Sequence, residues 1–466
     1  MTISRRHFLR QAAAVSAGFG GLRIFVLGGC TGPRPPRESR VEGFGPLVPD
    51  PAGVFDLPEG FSYRVISRFG DVMDDGLLVP HRPDGMAAFP GPDGTVVVVC
   101  NHEVSDGRER TEGAFGPDFE RARTLDRASF FDPGRGFNPA GGGTTNIVYD
   151  PATGQVVRRF LSLAGTLRNC AGGPTPWNSW ISCEESVVGP TDAFERAHGW
   201  AFEVPASAEP LLAPPRPIED MGRFYREAVA VDPASGVVYQ TEDRDDGLLY
   251  RFVPDVPGDL HAGGRQQALV ARERSGLDTR NWGAGRVDVG SPMPVAWVDL
   301  EDVDSPVDDL RHRGFEKGAA RFARGEGMWY GNESVYFACT NGGSARLGQI
   351  WKYTPSRVEG TPGEDDEPGT LELFLESDSV SVLENADNLT VASWGDLFVC
   401  EDGRGEQFLI GVTPRGETYR FGRNALSDSE LAGATFSPDG STLFMNIQDD
   451  GLTLAITGPW KRRSEL

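Results

Sequence analysis

The run Cys170-Ala-Gly-Gly-Pro-Thr-Pro-Trp-Asn-Ser-Trp-Ile-Ser-Cys183-Glu184-Glu185 places two cysteines beside two adjacent carboxylates, in a chain with only six cysteines. A thiolate is a soft ligand, poor for calcium and good for iron or copper. The Gly172-Gly173 pair lets backbone approach a neighbour closely. Chemistry alone leaves Cys170 either a buried free thiol or the ligand of a transition metal beside carboxylates. A zinc cage is not supported, because the chain has no CxxC and six histidines. Other polar residues stand where short apolar runs end: Glu103, Glu242, Asp243, Asn341, Glu401 and Asp402. Taken singly, each acid reads equally well as a metal ligand or as a solvated loop charge or turn cap. Gathered in one place they would repel strongly unless cations bound, and oxygen-rich sites select hard cations, calcium first.

The elements that must position these residues recur along the chain. An apolar strand, a tight turn and a second strand ending in a polar cluster appear in Phe89–Glu103, Pro174–Glu185, Val229–Asp243, Trp329–Gly342, Leu389–Gly403 and Ala434–Asp449. A hairpin without the polar ending spans Asn146–Val157. Asp-Pro-x-Thr/Ser-Gly and Pro-Asp-Gly are turn signals with a mechanism, since proline presets φ and glycine accepts positive φ. Hairpins repeated through a long chain predict an all-β β-propeller of about six blades, with irregular loops and short helical insertions. Residues 51–466 are expected to form one catalytic domain. The pattern puts Cys183 in register with Cys100, Thr241, Cys339, Cys400 and Asn446, where a small residue recurs, so these cysteines read as packing. Five cysteines follow Cys30, without disulfide-scaffold spacing.

Composition supports this reading. Hydrophobic residues make up 39% of 466 residues, and 60 glycines and 35 prolines suit many short strands joined by turns. A net charge of −23 argues against nucleic-acid binding. Residues 1–29 begin Ser4-Arg5-Arg6-His7-Phe8-Leu9 before an apolar stretch, which resembles a bacterial twin-arginine export signal. Leu27-Gly28-Gly29-Cys30 resembles a lipobox, so Cys30 is either a lipid anchor or part of a plain cleaved signal. Losing residues 1–29, which carry four arginines and no acids, takes the charge to −27. Residues 30–50 read as a flexible tether, and no later stretch is apolar enough for a transmembrane helix.

The Cys170–Glu185 run resembles the signature of the PhoX-type alkaline phosphatase family of bacteria. Further matching stretches follow in order: Met221-Gly222-Arg223-Phe224, Glu227-Ala-Val-Ala-Val-Asp-Pro, Tyr239-Gln-Thr-Glu-Asp243, Gly318–Gly327, Asp387-Asn388, Cys400-Glu-Asp-Gly403 and Ile456-Thr-Gly-Pro-Trp460. The resemblance implies an exported β-propeller that hydrolyses phosphomonoesters with an iron–calcium cluster (Fe3+ and Ca2+). It implies iron-binding positions at Cys170, Glu227 and Glu326, calcium-ligand motifs at Glu185, Glu401 and Asp402, and a substrate-phosphate contact at Arg324. Two departures stand out: Arg226 where the family often has histidine, and Asp449-Asp450 where it tends to have His-Pro. Gly-x-Ser-x-Gly does not occur, so no serine-nucleophile arrangement competes. The expected partners are a small phosphoester and the twin-arginine export machinery, with no nucleic acid; the expected state is a monomer in the periplasm or outside the cell. The alternatives are a calcium-dependent propeller hydrolase of other esters or lactones, or a non-catalytic metal-stabilised surface binding protein.

Overall fold

A computed structural model of the chain describes residues 41–283 and 286–460. The signal expected at residues 1–29, and Cys30, lie outside them. The described chain is all-β, with short α-helices at Glu109–Glu112 and Leu310–Glu316 and a few 3-10 turns.

Local sequence sets the hairpins. In Asp150-Pro-Ala-Thr-Gly154, the Asp150 carboxylate accepts from the Ala152 amide at 2.9 Å and the Thr153 hydroxyl at 2.7 Å. Gly154, at φ 68°, closes the turn onto the Asp150 carbonyl. Asp232-Pro-Ala-Ser-Gly236 repeats the arrangement with Ala234 and Ser235. Val96–His102, which follows the Pro92-Asp-Gly turn, is buried along its whole length. Such a strand is covered on both faces and reads as a continuous apolar run rather than an alternating one.

The strands form five hydrogen-bonded sheets among the described residues. The first holds Pro83–Pro90, Val96–His102, Gly142–Asp150 and Gln155–Thr166, and the second holds Asn169–Pro174, Ser179–Glu184 and Ala201–Pro205. Sequence periodicity predicts about six blades. Two of the strand units are continuous: Met293–Asp299 pairs with Gly264–Ala271 on one side and with Thr370–Glu376 on the other. It thereby joins the unit beginning at Arg226–Val231 to the unit beginning at Gly325–Gly331 in one ten-stranded sheet. A strand lying between two turn-delimited repeats carries no signal of which neighbour it will pair. The fourth sheet runs from Ala386–Val391 outward, and the last holds Leu431–Phe436, Thr442–Ile447, Leu452–Thr457 and the N-terminal strand Ser62–Arg68. That early strand pairs with the last described strand of the chain, Leu452–Thr457.

The first strand of each unit lies innermost. Pro83–Pro90 contacts Asn169–Pro174, which contacts Arg226–Val231; Gly325–Gly331, Ala386–Val391 and Leu431–Phe436 follow, and the last returns to Pro83–Pro90. The apolar core is therefore divided among the interfaces between neighbouring units. Phe89, Val97 and Val99 meet Trp180 and Phe202; Ile181 and Cys183 meet Val229 and Phe252; Phe398 and Phe421 meet Leu443 and Leu454. Each such side chain contributes about 1.5–3 kcal/mol when fully buried.

Cys100, Cys183, Cys339 and Cys400 all sit in these interfaces as buried free thiols. Burial pushes the thiols of Cys100 and Cys183 up to about 12. Their register differs from the expected one. The pairs Pro83–His102, Asn169–Glu184, Arg226–Glu242 and Ala386–Glu401 align Cys183 with Thr241, Cys400 and Asn101. Cys100 lies one residue before that position, and Cys339 and Asn446 one after, because they pair with Gly325 and Ala432. Hairpin lengths differ, so counting from the turns slips by one. Residues 41–50, the described part of the segment expected to be a tether, bond to the sheet strands and pack against them. Val41 bonds to Thr418, Leu47–Val48 pairs with Phe55–Pro58, and Phe44 packs edge-on against Phe61, Phe421 and Trp460.

Innermost strands approach too closely for side chains at some positions. A β-carbon added at Gly173 would overlap the carbonyl oxygen of Val229 on the next inner strand, and one at Gly327 would lie 2.6 Å from the α-carbon of Asn388. Gly173→Ala is therefore expected to destabilise the fold by about 1–3 kcal/mol, read as a lower melting temperature in calorimetry. An unchanged melting temperature would mean that the inner ring is looser than described.

Candidate metal centre

One irregularity is repeated on every inner strand. The ladder between the first and second strand of each unit shifts by one residue at the same place: between Pro83 and Met86, Asn169 and Gly172, Arg226 and Val229, Gly325 and Met328, Ala386 and Leu389, and Ala432 and Thr435. Such a bulge sets two residues opposite one and re-aims the extra side chain. The residue that opens each bulge is Asp84, Cys170, Glu227, Glu326, Asp387 or Gly433. The first five line one cavity of about 180 Å³. The sixth has no room for a side chain, since a β-carbon on Gly433 would overlap the Asp84 carbonyl.

Strand ends supply a second set of residues, and alternation decides which acid of each adjacent pair enters. Glu185, Asp243 and Asp402 line the cavity, as do Glu103 and Gln448 at the ends of their own hairpins. Their predecessors turn away. Glu184 accepts from the amides of Leu167, Gly199 and Trp200 at 2.9, 2.8 and 3.1 Å. It also faces His198, whose other nitrogen meets Asp132. Burial would lower the pKa of His198, but Glu184 and Asp132 push it up to about 9. Glu242 accepts from Tyr250. Glu401 accepts from the amides of Glu384 and Phe408 at 2.7 and 3.0 Å and does not line the cavity. The sequence-stated set is thus brought together for Cys170, Glu185, Glu227, Glu326, Asp402 and Arg324. Glu401 instead caps loop backbone, because successive strand residues face opposite ways.

Nine carboxylates (Asp84, Glu103, Glu185, Glu227, Asp243, Glu326, Asp387, Asp402, Glu430) share this wall with three arginines, Arg82, Arg168 and Arg324. The excess of like charge shows in the titration of the groups. Burial, then Glu326 and Glu185, raises Glu227 well above the usual carboxylate range. Burial, then Asp387 and Glu103, does the same to Asp84, and burial, then Asp243, to Glu326 and Glu185. Burial, then Asp402, lifts Asp387 to about 7. The Cys170 thiol, 2.8 Å from a Glu185 oxygen, is raised by burial and by Glu103 and Glu185. Asp84 Oδ1 and Gln448 Oε1 are buried without a hydrogen-bond partner. Ligand atoms lie within 4.8 Å of one another in three overlapping groups: Asp84–Glu103–Cys170, Cys170–Glu185–Glu227 and Glu227–Glu326–Asp387. Groups that share Cys170 and Glu227 suit more than one ion.

Asp84, Asp387 and Glu430 escaped the sequence reading. A signal was present: Asp84-Gly-Met, Cys170-Ala-Gly, Glu227-Ala-Val, Glu326-Gly-Met and Asp387-Asn-Leu each set a ligand-type residue before a small or short one. The repeat lay in the inner strand rather than in the hairpin turns. Arg226 points away from the cavity. It donates to Gln240 Oε1 at 2.8 Å and to the Met221 carbonyl at 2.8 Å, and stacks over Phe224. It therefore braces the loop before its strand. Asp449 pairs with Arg82 at 2.6 Å, and Asp450 accepts from Ser427.

In chelated protein the raised carboxylates bind protons more tightly when folded than when unfolded. Their stabilisation is then present at low pH and is lost as pH rises from the ordinary carboxylate value of 3.8 through about 7 for Asp387. Chelated protein is expected to melt several degrees lower at pH 8 than at pH 5.5, and added metal should remove the difference. Equal melting at both values, with no effect of metal, would discount a metal centre here.

Comparison with known proteins agrees with this architecture. The fold is similar to that of Pseudomonas fluorescens PhoX, solved in complex with vanadate, a transition state analogue. The TM-score is 0.63 at 17% identity, covering 87% of this chain and 96% of that one. A gluconolactonase from Xanthomonas campestris gives a TM-score of 0.41 at 13% identity, covering 89% of this chain and 98% of that one. Among curated proteins, none matches the chain. The family model for alkaline phosphatase PhoX matches residues 42–451, and the chain belongs to the alkaline phosphatase PhoX family.

Proposed function

We propose that the protein releases inorganic phosphate from phosphomonoesters outside the cytoplasm, using iron and calcium held in the axial cavity. Family membership supports the reaction class. The observation that carries the reading is the set of bulge residues, one thiol among four carboxylates, in the same cavity as Arg324. Cys170, Glu227 and Glu326 would hold iron, because thiolate with carboxylate suits Fe(III). Glu185 and Asp402, together with Asp84, Asp243 and Asp387, would hold calcium, which takes six to eight oxygens. The donors fit such ions: the acids are gathered, buried and in excess, and the orphaned Asp84 Oδ1 is available.

Bound metals would supply Lewis acidity, neutralising charge on the phosphate oxygens. The chain's own residues do the rest. Arg324 donates from Nε and Nη2 to Asp243 at 2.7 and 3.0 Å and from Nη2 to Glu326 at 2.8 Å. This fixes the guanidinium plane at the cavity wall and leaves Nη1 to stabilise charge on equatorial phosphate oxygens. Its charged form is reinforced by Glu326 first and then by Asp243. Thr241 anchors the strand that carries Glu326, donating to the Glu326 carbonyl at 2.7 Å. Export by the twin-arginine route agrees with Arg5-Arg6 and the apolar stretch behind them. No helix among the described residues is long and apolar enough to cross a membrane.

Metal-loaded enzyme is expected to hydrolyse p-nitrophenyl phosphate and to lose that turnover on chelation. Glu326→Gln should lower kcat by at least about 100-fold and Arg324→Ala by about 100- to 1,000-fold, with the circular-dichroism spectrum unchanged. Cys170→Ala should lose iron while keeping calcium, as measured by elemental analysis. No turnover by protein shown to hold both metals would overturn the reading. Full activity of Cys170→Ala without iron would favour a calcium-only hydrolase.

A further inference from the structure

Three arginines at the cavity occupy equivalent places in the repeat. Arg82, Arg168 and Arg324 each stand immediately before the first paired residue of an inner strand, namely Pro83, Asn169 and Gly325. All three have left-handed backbone, with φ of 50°, 49° and 52°. Asn385, immediately before Ala386, shares it at φ 53°, so the conformation belongs to this junction of the repeat.

The three are not held alike. Arg324 is bound by the buried-side acids Asp243 and Glu326, and Arg168 donates to Glu103 and Glu185 at 2.8 and 2.6 Å. Arg82 stands 3.7 Å from Glu103, and its short contact, 2.6 Å, is to Asp449, whose side chain is 59% exposed. An ion pair with so exposed a partner contributes little and exchanges readily with solvent ions. Arg82 is therefore the guanidinium that an incoming anion can take over without stranding a buried carboxylate.

Building on the phosphatase reading, we propose that Arg82 is a specificity residue that receives a second anionic group, carboxylate or phosphate, on a phosphomonoester whose phosphoryl group lies beside Arg324. A guanidinium fork binds either group through paired N–H donors. Asp449 holds the fork in place until that group arrives and is then displaced. Without such a receptor, a second negative group would face the carboxylates of the cavity wall, with Arg168 and Arg324 already paired to buried acids. The favoured substrates are phosphomonoesters with another negative group, such as sugar bisphosphates and phosphoglycerates.

The test is steady-state kinetics of full-length, metal-loaded enzyme on two matched pairs. Fructose 1,6-bisphosphate is compared with fructose 6-phosphate, and 3-phosphoglycerate with glycerol 3-phosphate. KM should be about three- to fivefold lower for the doubly anionic member of at least one pair, a size fitting a partly exposed charge contact. The pair that shows the difference identifies phosphate or carboxylate as the recognised group. Arg82→Gln should erase that difference through KM. Asp449→Asn, which frees the fork, should keep or widen it, and guards against a folding defect in the first variant. Equal KM values within both pairs for the wild type, or an undiminished difference in Arg82→Gln, would overturn the proposal while leaving p-nitrophenyl phosphate hydrolysis intact. Loss of that hydrolysis in the wild type would overturn the phosphatase reading itself, and the proposal with it.

Discussion

Repulsion between buried carboxylates is the constraint around which this molecule is built. Two like charges about 4 Å apart near a protein surface repel by about 4 kcal/mol, whereas a whole domain is stable by only about 5–15 kcal/mol. Nine acids around one cavity of about 180 Å³ would exceed that margin if all were ionised and uncompensated. Three arginines offset part of the charge, and protons or cations must offset the rest. The raised acids Asp84, Glu185, Glu227, Glu326 and Asp387 are the same fact seen as titration. A fold that keeps such an arrangement must be stiff enough to prevent the acids from moving apart, and must gain from what they bind.

The closed ring of inner strands meets the first requirement. Its interfaces are filled by large apolar side chains, including Trp180, Trp351 and Phe398, all buried. Ser62–Arg68 completes the last sheet against Leu452–Thr457. At the ring's centre the bulge converts repeated backbone geometry into repeated chemistry. The same two-against-one irregularity offers a thiol on one strand and carboxylates on four others, with the substitution of a single residue type each time. A phosphoester hydrolase of the PhoX family thus uses one structural device five times and varies the side chain at each.

A second layer keeps those ligands aimed. Glu184 and Glu401, acids that the sequence could have sent to the cavity, satisfy loop amides instead. Thr241 holds the carbonyl beside Glu326, and buried Arg226 braces the loop that precedes Glu227. Removing such a group leaves buried donors or acceptors unpaired, which costs more than the bond itself contributes. The arginines that precede three inner strands share one backbone conformation at the same junction, just before the bulge residues.

Much of this was legible in the residues. Asp-Pro-Ala-Thr/Ser-Gly specifies the same turn at Asp150 and Asp232 through local bonds that need no distant partner. The Cys170–Glu185 run marks the family and the one thiol that does not belong to the packing. What the residues left open depended on registers and partners far apart in the chain. Glu185 rather than Glu184, and Asp402 rather than Glu401, enter the cavity because strand residues alternate between faces, and the face is settled by where each ladder starts and where it bulges. Asp84 and Asp387 lie about 300 residues apart in sequence and meet only when the ring closes. The sequence by itself determined the strands, the turns and the supply of ligands. The tertiary structure alone decided which ligands converge, since like charges gather only where packing elsewhere compels them.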